Sequence, residues 1–154
     1  MDPYDKEKTR QIWKRVLGEE AAPEQCAKDP ERLRKMIAAE KTAACNYRRL
    51  ARGAHCGAVL QRLAREELCH SRKLEALYFL WTGARSETVS GKLPCYASIP
   101  EALRALHQAE LETAAGYRRA AEDLPAHREM LLELAEEELR HARQLFQVLQ
   151  QYLA

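Results

Sequence analysis

The sequence predicts an all-α fold: a four-helix bundle made of two repeated helical hairpins joined by a crossover connection, preceded by a short N-terminal helix. Three observations predict it. Apolar residues recur at helical spacing along most of the chain. The six glycines and six prolines are few and fall where that spacing breaks, which argues against an all-β chain rich in turns. The sequence also repeats internally: residues 39–49, AEKTAACNYRR, align without gaps on 109–119, AELETAAGYRR, and 63–70, LAREELCH, align on 134–141, LAEEELRH. The offset is 70 in the first pair and 71 in the second, so a one-residue difference sits in the hairpin turn.

The elements follow in order. Residues 5–18 place Ile12, Trp13, Val16 and Leu17 on one side of a short helix that stops at Gly18, and residues 19–29 read as a linker. Asp29, Pro30 and Glu31 supply an N-cap, a first-turn proline and a first-turn acid, which start a helix running to about Arg52 and stopped by Gly53. The second helix spans about Ala54 to Thr82 and is stopped by Gly83. Residues 83–97 have no usable period and form the longest candidate loop. Ser98-Ile99-Pro100-Glu101 is a capping box that opens a third helix to about Glu122, and Asp123 with Pro125 starts the fourth, which runs to the end of the sequence. Each helix is long enough to span roughly 35–40 Å at 1.5 Å per residue. Connections within each hairpin are too short for anything but an antiparallel pair. The 83–97 segment, at roughly 3.3 Å per extended residue, can travel the length of a helix. The expected division is therefore an N-terminal helix and linker over 1–28 and a four-helix domain over 29–154.

Composition narrows the function. A chain of 154 residues suits one domain, and 46% hydrophobic with 31% charged residues excludes disorder as the default. Lys and Arg number 25 against 23 Asp and Glu, for a net charge of +2, so nothing draws the chain toward nucleic acid or an anionic membrane. No run approaches the roughly 18–20 apolar residues of a membrane span, and MDPYDKEKTR lacks the apolar core of a secretory signal. A cytoplasmic location is expected, with no nucleic-acid or membrane partner. Cys26, Cys45, Cys56, Cys69 and Cys95 are odd in number and form no CxxC pair, which suits free thiols better than a disulfide framework or a zinc site.

The repeated positions carry the chemistry. Glu40 and Glu110 are each followed seven residues later by a tyrosine, Tyr47 and Tyr117. The second and fourth helices carry Glu67-Leu68-Cys69-His70 and Glu138-Leu139-Arg140-His141. Positions i, i+3 and i+7 share a helix face, and that face is the apolar one. Leu60, Leu63, Glu67, His70, Leu74 and Leu77 form one stripe, and Leu131, Leu134, Glu138, His141, Leu145 and Val148 form its counterpart. Leu33-Glu40-Tyr47 and Leu103-Glu110-Tyr117-Leu124 step by seven along the other two helices. Four carboxylates and two imidazoles thus interrupt apolar seams. Unpaired charges there cost several kcal/mol each, and two divalent cations would neutralise four carboxylates. Oxygen and imidazole donors without thiolates suit iron, or manganese. The alternative is a plain bundle with buried, hydrogen-bonded Glu–His pairs. Glu66, Glu136 and Glu137 are expected to be solvated or ion-paired. His107, one turn before Glu110, is a candidate partner of a site carboxylate.

A Glu from each of two helices with Glu-x-x-His from each of the other two, inside a repeat that also preserves Glu-x6-Tyr, resembles the ferritin-like di-iron carboxylate superfamily. Over residues 30–154 it is most similar to the rubrerythrin branch. The resemblance implies a ferritin-like bundle with Glu40, Glu67, His70, Glu110, Glu138 and His141 as ligands of two iron ions, manganese being the other candidate. It further implies that Glu67 and Glu138 bridge the ions, and that Tyr47 and Tyr117 act in catalysis by hydrogen-bonding site carboxylates. The implied function is an oxidoreductase that reduces hydrogen peroxide or dioxygen. Two departures matter. Rubrerythrins usually add a rubredoxin module, absent here, so the implied electron donor is external, a rubredoxin-like protein or a flavoprotein reductase. Thr113 stands where rubrerythrins tend to carry an additional carboxylate, and Glu112 points about 200° away from Glu110. A homodimer or higher homo-oligomer is expected. Two other functions fit the sequence: a ferroxidase or iron-handling ferritin-like protein, which needs a many-subunit cage, and a non-enzymatic helical adaptor docking through residues 1–28.

Overall fold

The computed structural model describes residues 29–153; the expected helix over 5–18 and most of the linker after it lie outside the described residues. Helix α1 spans Pro30–Leu50, α2 Gly57–Thr82, α3 Ile99–Asp123 and α4 Arg128–Leu153, with a 3-10 turn over Pro125–His127 leading into α4. The local signals act much as expected. Asp29 caps α1, its carboxylate accepting from the Arg32 amide at 2.9 Å, with Pro30 in the first turn. Ser98 Oγ accepts from the Glu101 amide at 3.2 Å. Glu101 reaches back to the Ala97 amide at 2.6 Å, one residue farther than a standard capping box.

Three boundaries differ from expectation. Helix α1 ends at Leu50, and α2 begins at Gly57, not near Ala54, because the chain turns back on itself at Ala51. A Cβ on Gly57 would stand 2.6 Å from the Ala51 carbonyl oxygen, so glycine is required at that close approach. Helix α4 begins at Arg128, after the 3-10 turn. Asp123, expected to start the fourth helix, is the last residue of α3, where its carboxylate pairs with Arg32 of α1 at 2.6 Å. Gly83 closes α2 as expected, in the left-handed conformation at φ 71°.

Helices α1 and α2 pack as one hairpin, and α3 and α4 as the other. Both are antiparallel: Arg34 meets Tyr78 and Lys41 meets Glu75 in the first, while Arg118 meets Glu136 and His107 meets the Ala142 carbonyl in the second. Side chains also tie one hairpin to the other. Tyr47 meets Glu110 and Tyr117 meets Glu40 between α1 and α3, and Arg62 meets Gln144 between α2 and α4. The segment from Gly83 to Ser98 lies against α1. Lys41 Nζ donates to the Thr88 carbonyl at 2.6 Å, the Gly91 amide to Thr42 Oγ1 at 2.7 Å, Asn46 Nδ2 to the Tyr96 hydroxyl at 3.0 Å, and Arg49 to the Pro94 carbonyl.

The expected stripes are buried, apart from the half-buried Leu124. They form two apolar clusters. One contains Leu33, Ile37, Leu74, Leu77, Leu131 and Leu134, the other Leu60, Leu63, Leu103, Leu106, Leu145 and Val148. Between them lies a polar layer. No helix among the described residues is long and apolar enough to cross a membrane. The four cysteines of the described residues are free, and Cys26 lies outside that range.

Candidate metal centre

The polar layer consists of the six residues singled out from the repeat. Glu40, Glu67, His70, Glu110, Glu138 and His141 come one or two from each helix, and each retains 4% or less of its exposure. They fall into two groups that could hold a metal ion: Glu40, Glu67, His70 and Glu138, and Glu67, Glu110, Glu138 and His141. Within each group, one donor atom from every residue lies within 4.8 Å of the others. Glu67 and Glu138 belong to both. The two imidazoles lie parallel, with centroids 5.4 Å apart and an interplanar angle of 12°, so the site follows the twofold character of the repeat.

Each histidine is held from outside by a carboxylate. His70 Nε2 lies 2.6 Å from Glu137 Oε2, and His141 Nε2 lies 2.8 Å from Glu66 Oε2. A carboxylate only accepts, so it fixes a proton on the outer nitrogen and directs Nδ1 inward. In the singly protonated ring, Nδ1 then presents a lone pair to carboxylates. His70 Nδ1 has Glu138 Oε1 at 2.8 Å and Glu67 Oε2 at 3.4 Å, and His141 Nδ1 has Glu67 Oε1 at 2.8 Å and Glu138 Oε2 at 3.2 Å. These approaches lack hydrogen-bond direction. Among the described residues, the buried side-chain N and O atoms without a hydrogen-bond partner are Glu67 Oε1, Glu138 Oε1 and Oε2, His70 Nδ1 and His141 Nδ1. All five point into this layer. Lone pairs facing negative oxygens in an apolar interior require a cation or additional protons.

The electrostatics of the metal-free site describe the proton solution. For His141, burial disfavours the charged ring, but Glu138 and Glu67 together outweigh it and push the pKa up to about 10. His70 shifts upward for the same balance of reasons, through Glu138, Glu40 and Glu67. Burial would raise Glu67, yet the charged His141 and His70 rings and the neighbouring Glu40 carboxyl bring it down to about 2. Glu138 is lowered similarly, the two histidines overcoming burial. Glu40 and Glu110 rise well above the ordinary carboxylate range, chiefly through burial and then through the charges of Glu67 and Glu138. A cation would replace these protons.

The two tyrosines lie on either side of the layer. The Tyr47 hydroxyl donates to Glu110, and that of Tyr117 donates to Glu40. Burial, followed by the adjacent carboxylates, raises both phenols well above their usual range, so they hold their protons and act as donors.

Glu66 and Glu137 are where sequence reasoning fell short. Ion pairs are present, Glu66 with Arg140 at 3.3 Å and Glu137 with Lys73 at 3.6 Å, but each carboxylate also anchors a site histidine. The available signal was that both copies read Glu-Glu-Leu-x-His. The crossed pairing, each glutamate reaching the other hairpin's histidine, is not written in either copy alone. Glu136 pairs with Arg118 at 2.9 Å, as expected. Glu112 is exposed and accepts from Gln108. His107 does not serve the site: its Nδ1 lies 2.9 Å from the Ala142 carbonyl.

No protein-family model matches the chain, and no curated protein matches it. The residues themselves therefore carry the functional reading.

Proposed function

We propose that the chain is a di-iron oxidoreductase of the rubrerythrin-like kind, reducing hydrogen peroxide or dioxygen with electrons from an external donor. One observation carries the reading: all the unpartnered buried polar side-chain atoms of the described residues converge on two overlapping Glu3His groups. The donor set fits the ion. Carboxylate and imidazole without thiolate suit iron, with manganese as the nearest competitor. In the same reading, the segment from Gly83 to Ser98 is the crossover connection of a ferritin-like bundle.

Iron bound there would supply two electrons together from adjacent ions to an O–O bond. The protein's part is positional. Glu67 and Glu138 serve both positions, Glu40 joins the group of His70, and Glu110 joins that of His141. Tyr117 and Tyr47 orient Glu40 and Glu110 and hold a proton at the phenolic oxygen beside each carboxylate. Glu137 and Glu66 fix the imidazoles with Nδ1 inward. The apolar clusters close the layer on two sides along the bundle.

Anaerobic Fe(II) titration of metal-free protein tests this. Saturation is expected at about two irons per chain, followed by rapid oxidation of the bound iron on a peroxide or dioxygen pulse, read in the near ultraviolet. Absence of stoichiometric binding, or equally slow oxidation with and without an added oxidant, would overturn it.

A further inference from the structure

A cleft of about 390 Å³ opens between α1 and α3 and reaches Glu40 and Tyr117 at the edge of the metal centre. Its walls are small or apolar: Met36 and Ala39 on α1, Thr113 and Gly116 on α3. Three cations flank it. Arg32 is engaged by Asp123, whereas Lys35 and Arg119 are exposed and have no carboxylate partner among the described residues. The volume lies in the range of small-molecule sites, which join an apolar wall to a few polar groups.

The repeat gives this cleft its meaning. Gly116 aligns with Asn46. On the Asn46 side, the 83–98 segment lies across the bundle, and Asn46 is buried with its amide on the Tyr96 hydroxyl. No described segment makes the corresponding contact over Gly116, which is half-exposed. The two faces of a near-twofold site are thus unequal. A mouth flanked by cations disfavours passage of Fe(II) and attracts anions, while the walls favour an apolar body.

We infer that the α1/α3 cleft binds a small organic anion, an oxyanion head on a short apolar tail, with the head at Lys35 and Arg119 and the tail between Ala39 and Gly116. Its place beside a working centre rests on the function proposed above; as a binding site, it does not.

Calorimetric titration of metal-free protein with octanoate tests the inference, with octyl phosphate and octanol as comparison ligands. One octanoate per chain is expected. Octanol should bind at least tenfold more weakly, and octyl phosphate should compete, since guanidinium and ammonium donate to either head. Gly116→Leu fills the cleft: an added Cβ there meets only the Arg119 guanidinium at 3.9 Å, and leaving glycine favours the helix. It should weaken octanoate binding tenfold or more, as should Lys35→Glu combined with Arg119→Glu. Ala39→Leu makes the same test from the opposite wall should Gly116→Leu lose its far-ultraviolet helix signal. No binding of octanoate at millimolar concentration, unchanged affinity in the filled variants, or octanol binding as tightly as octanoate would overturn the inference. Iron stoichiometry, measured separately on wild type and Gly116→Leu, reports the centre independently. Two irons without octanoate binding refute the cleft alone, and octanoate binding without iron refutes the centre alone.

Discussion

Replacing Glu137 with alanine probes the positioning of His70 without touching a candidate ligand. The carboxylate lies 2.6 Å from His70 Nε2 and is 32% exposed. A hydrogen bond to a charged group contributes roughly 1.5–3 kcal/mol, and partial exposure places this one in the lower half of that range. A loss of about 1.5–2 kcal/mol corresponds to a roughly 10–30-fold weaker dissociation constant. The loss should fall on one ion, because Glu137 serves His70 and Glu66 serves His141. The assay is an anaerobic Fe(II) titration against a competing chelator, resolving two binding steps, on wild type, Glu137→Ala and Glu66→Ala. Each variant should weaken one step by that factor and leave the other nearly unchanged. Lys73→Ala is the control: it removes the 3.6 Å ion pair with Glu137 but keeps the bond to His70, so affinity should hold. Two unmoved binding steps in Glu137→Ala would refute the claim that this carboxylate orients a metal-binding histidine.

Other outcomes follow from the same geometry. Glu67→Ala should abolish stoichiometric binding of both ions, since Glu67 belongs to both groups; one tightly held iron per chain by elemental analysis would contradict this. The metal-free protein should be most stable near the ordinary glutamate pKa of about 4.3, because Glu40 and Glu110, raised well above that range in the fold, make stability fall as pH rises past it. Glu67, lowered to about 2 in the fold, contributes stability that is complete above its ordinary range and lost as pH falls through 2. His141, raised to about 10, contributes stability that is complete below its ordinary range and lost as pH rises through 10. Melting temperatures of chelator-treated protein from pH 3 to 10 check this, and a flat profile would count against the buried ion pairs. Tyr117→Phe removes the donor to buried Glu40 and should destabilise the metal-free protein by about 1–3 kcal/mol; an unchanged urea midpoint would show that the bond contributes nothing.

The helices and the buried polar layer were legible in the sequence for one physical reason. A helix face is a fixed arithmetic of spacing, so Glu67 and His70, or Glu40 and Tyr47, had to share a side, and the leucines flanking them identified that side as the interior. The repeat then made a coincidence of six polar core positions implausible. What was not legible depends on contacts between distant segments. Nothing in the spacing of Glu137 says that it meets His70, 67 residues away. Asp123 looks like a helix start until Arg32 is seen beside it. The 83–98 segment has no period, and its course along α1 is set by individual bonds from Lys41, Thr42, Asn46 and Arg49.

Every bond that supports the polar layer crosses from one hairpin to the other: Tyr47 to Glu110, Tyr117 to Glu40, Glu137 to His70 and Glu66 to His141. Each half of the chain therefore brings three donor residues and braces two of the opposite three, but none of its own. The molecule behaves as a fused pair in which each member is scaffold to the other. A lesion confined to one hairpin should consequently be felt at donors belonging to its twin, and neither hairpin alone has the means to hold its own three donors in place.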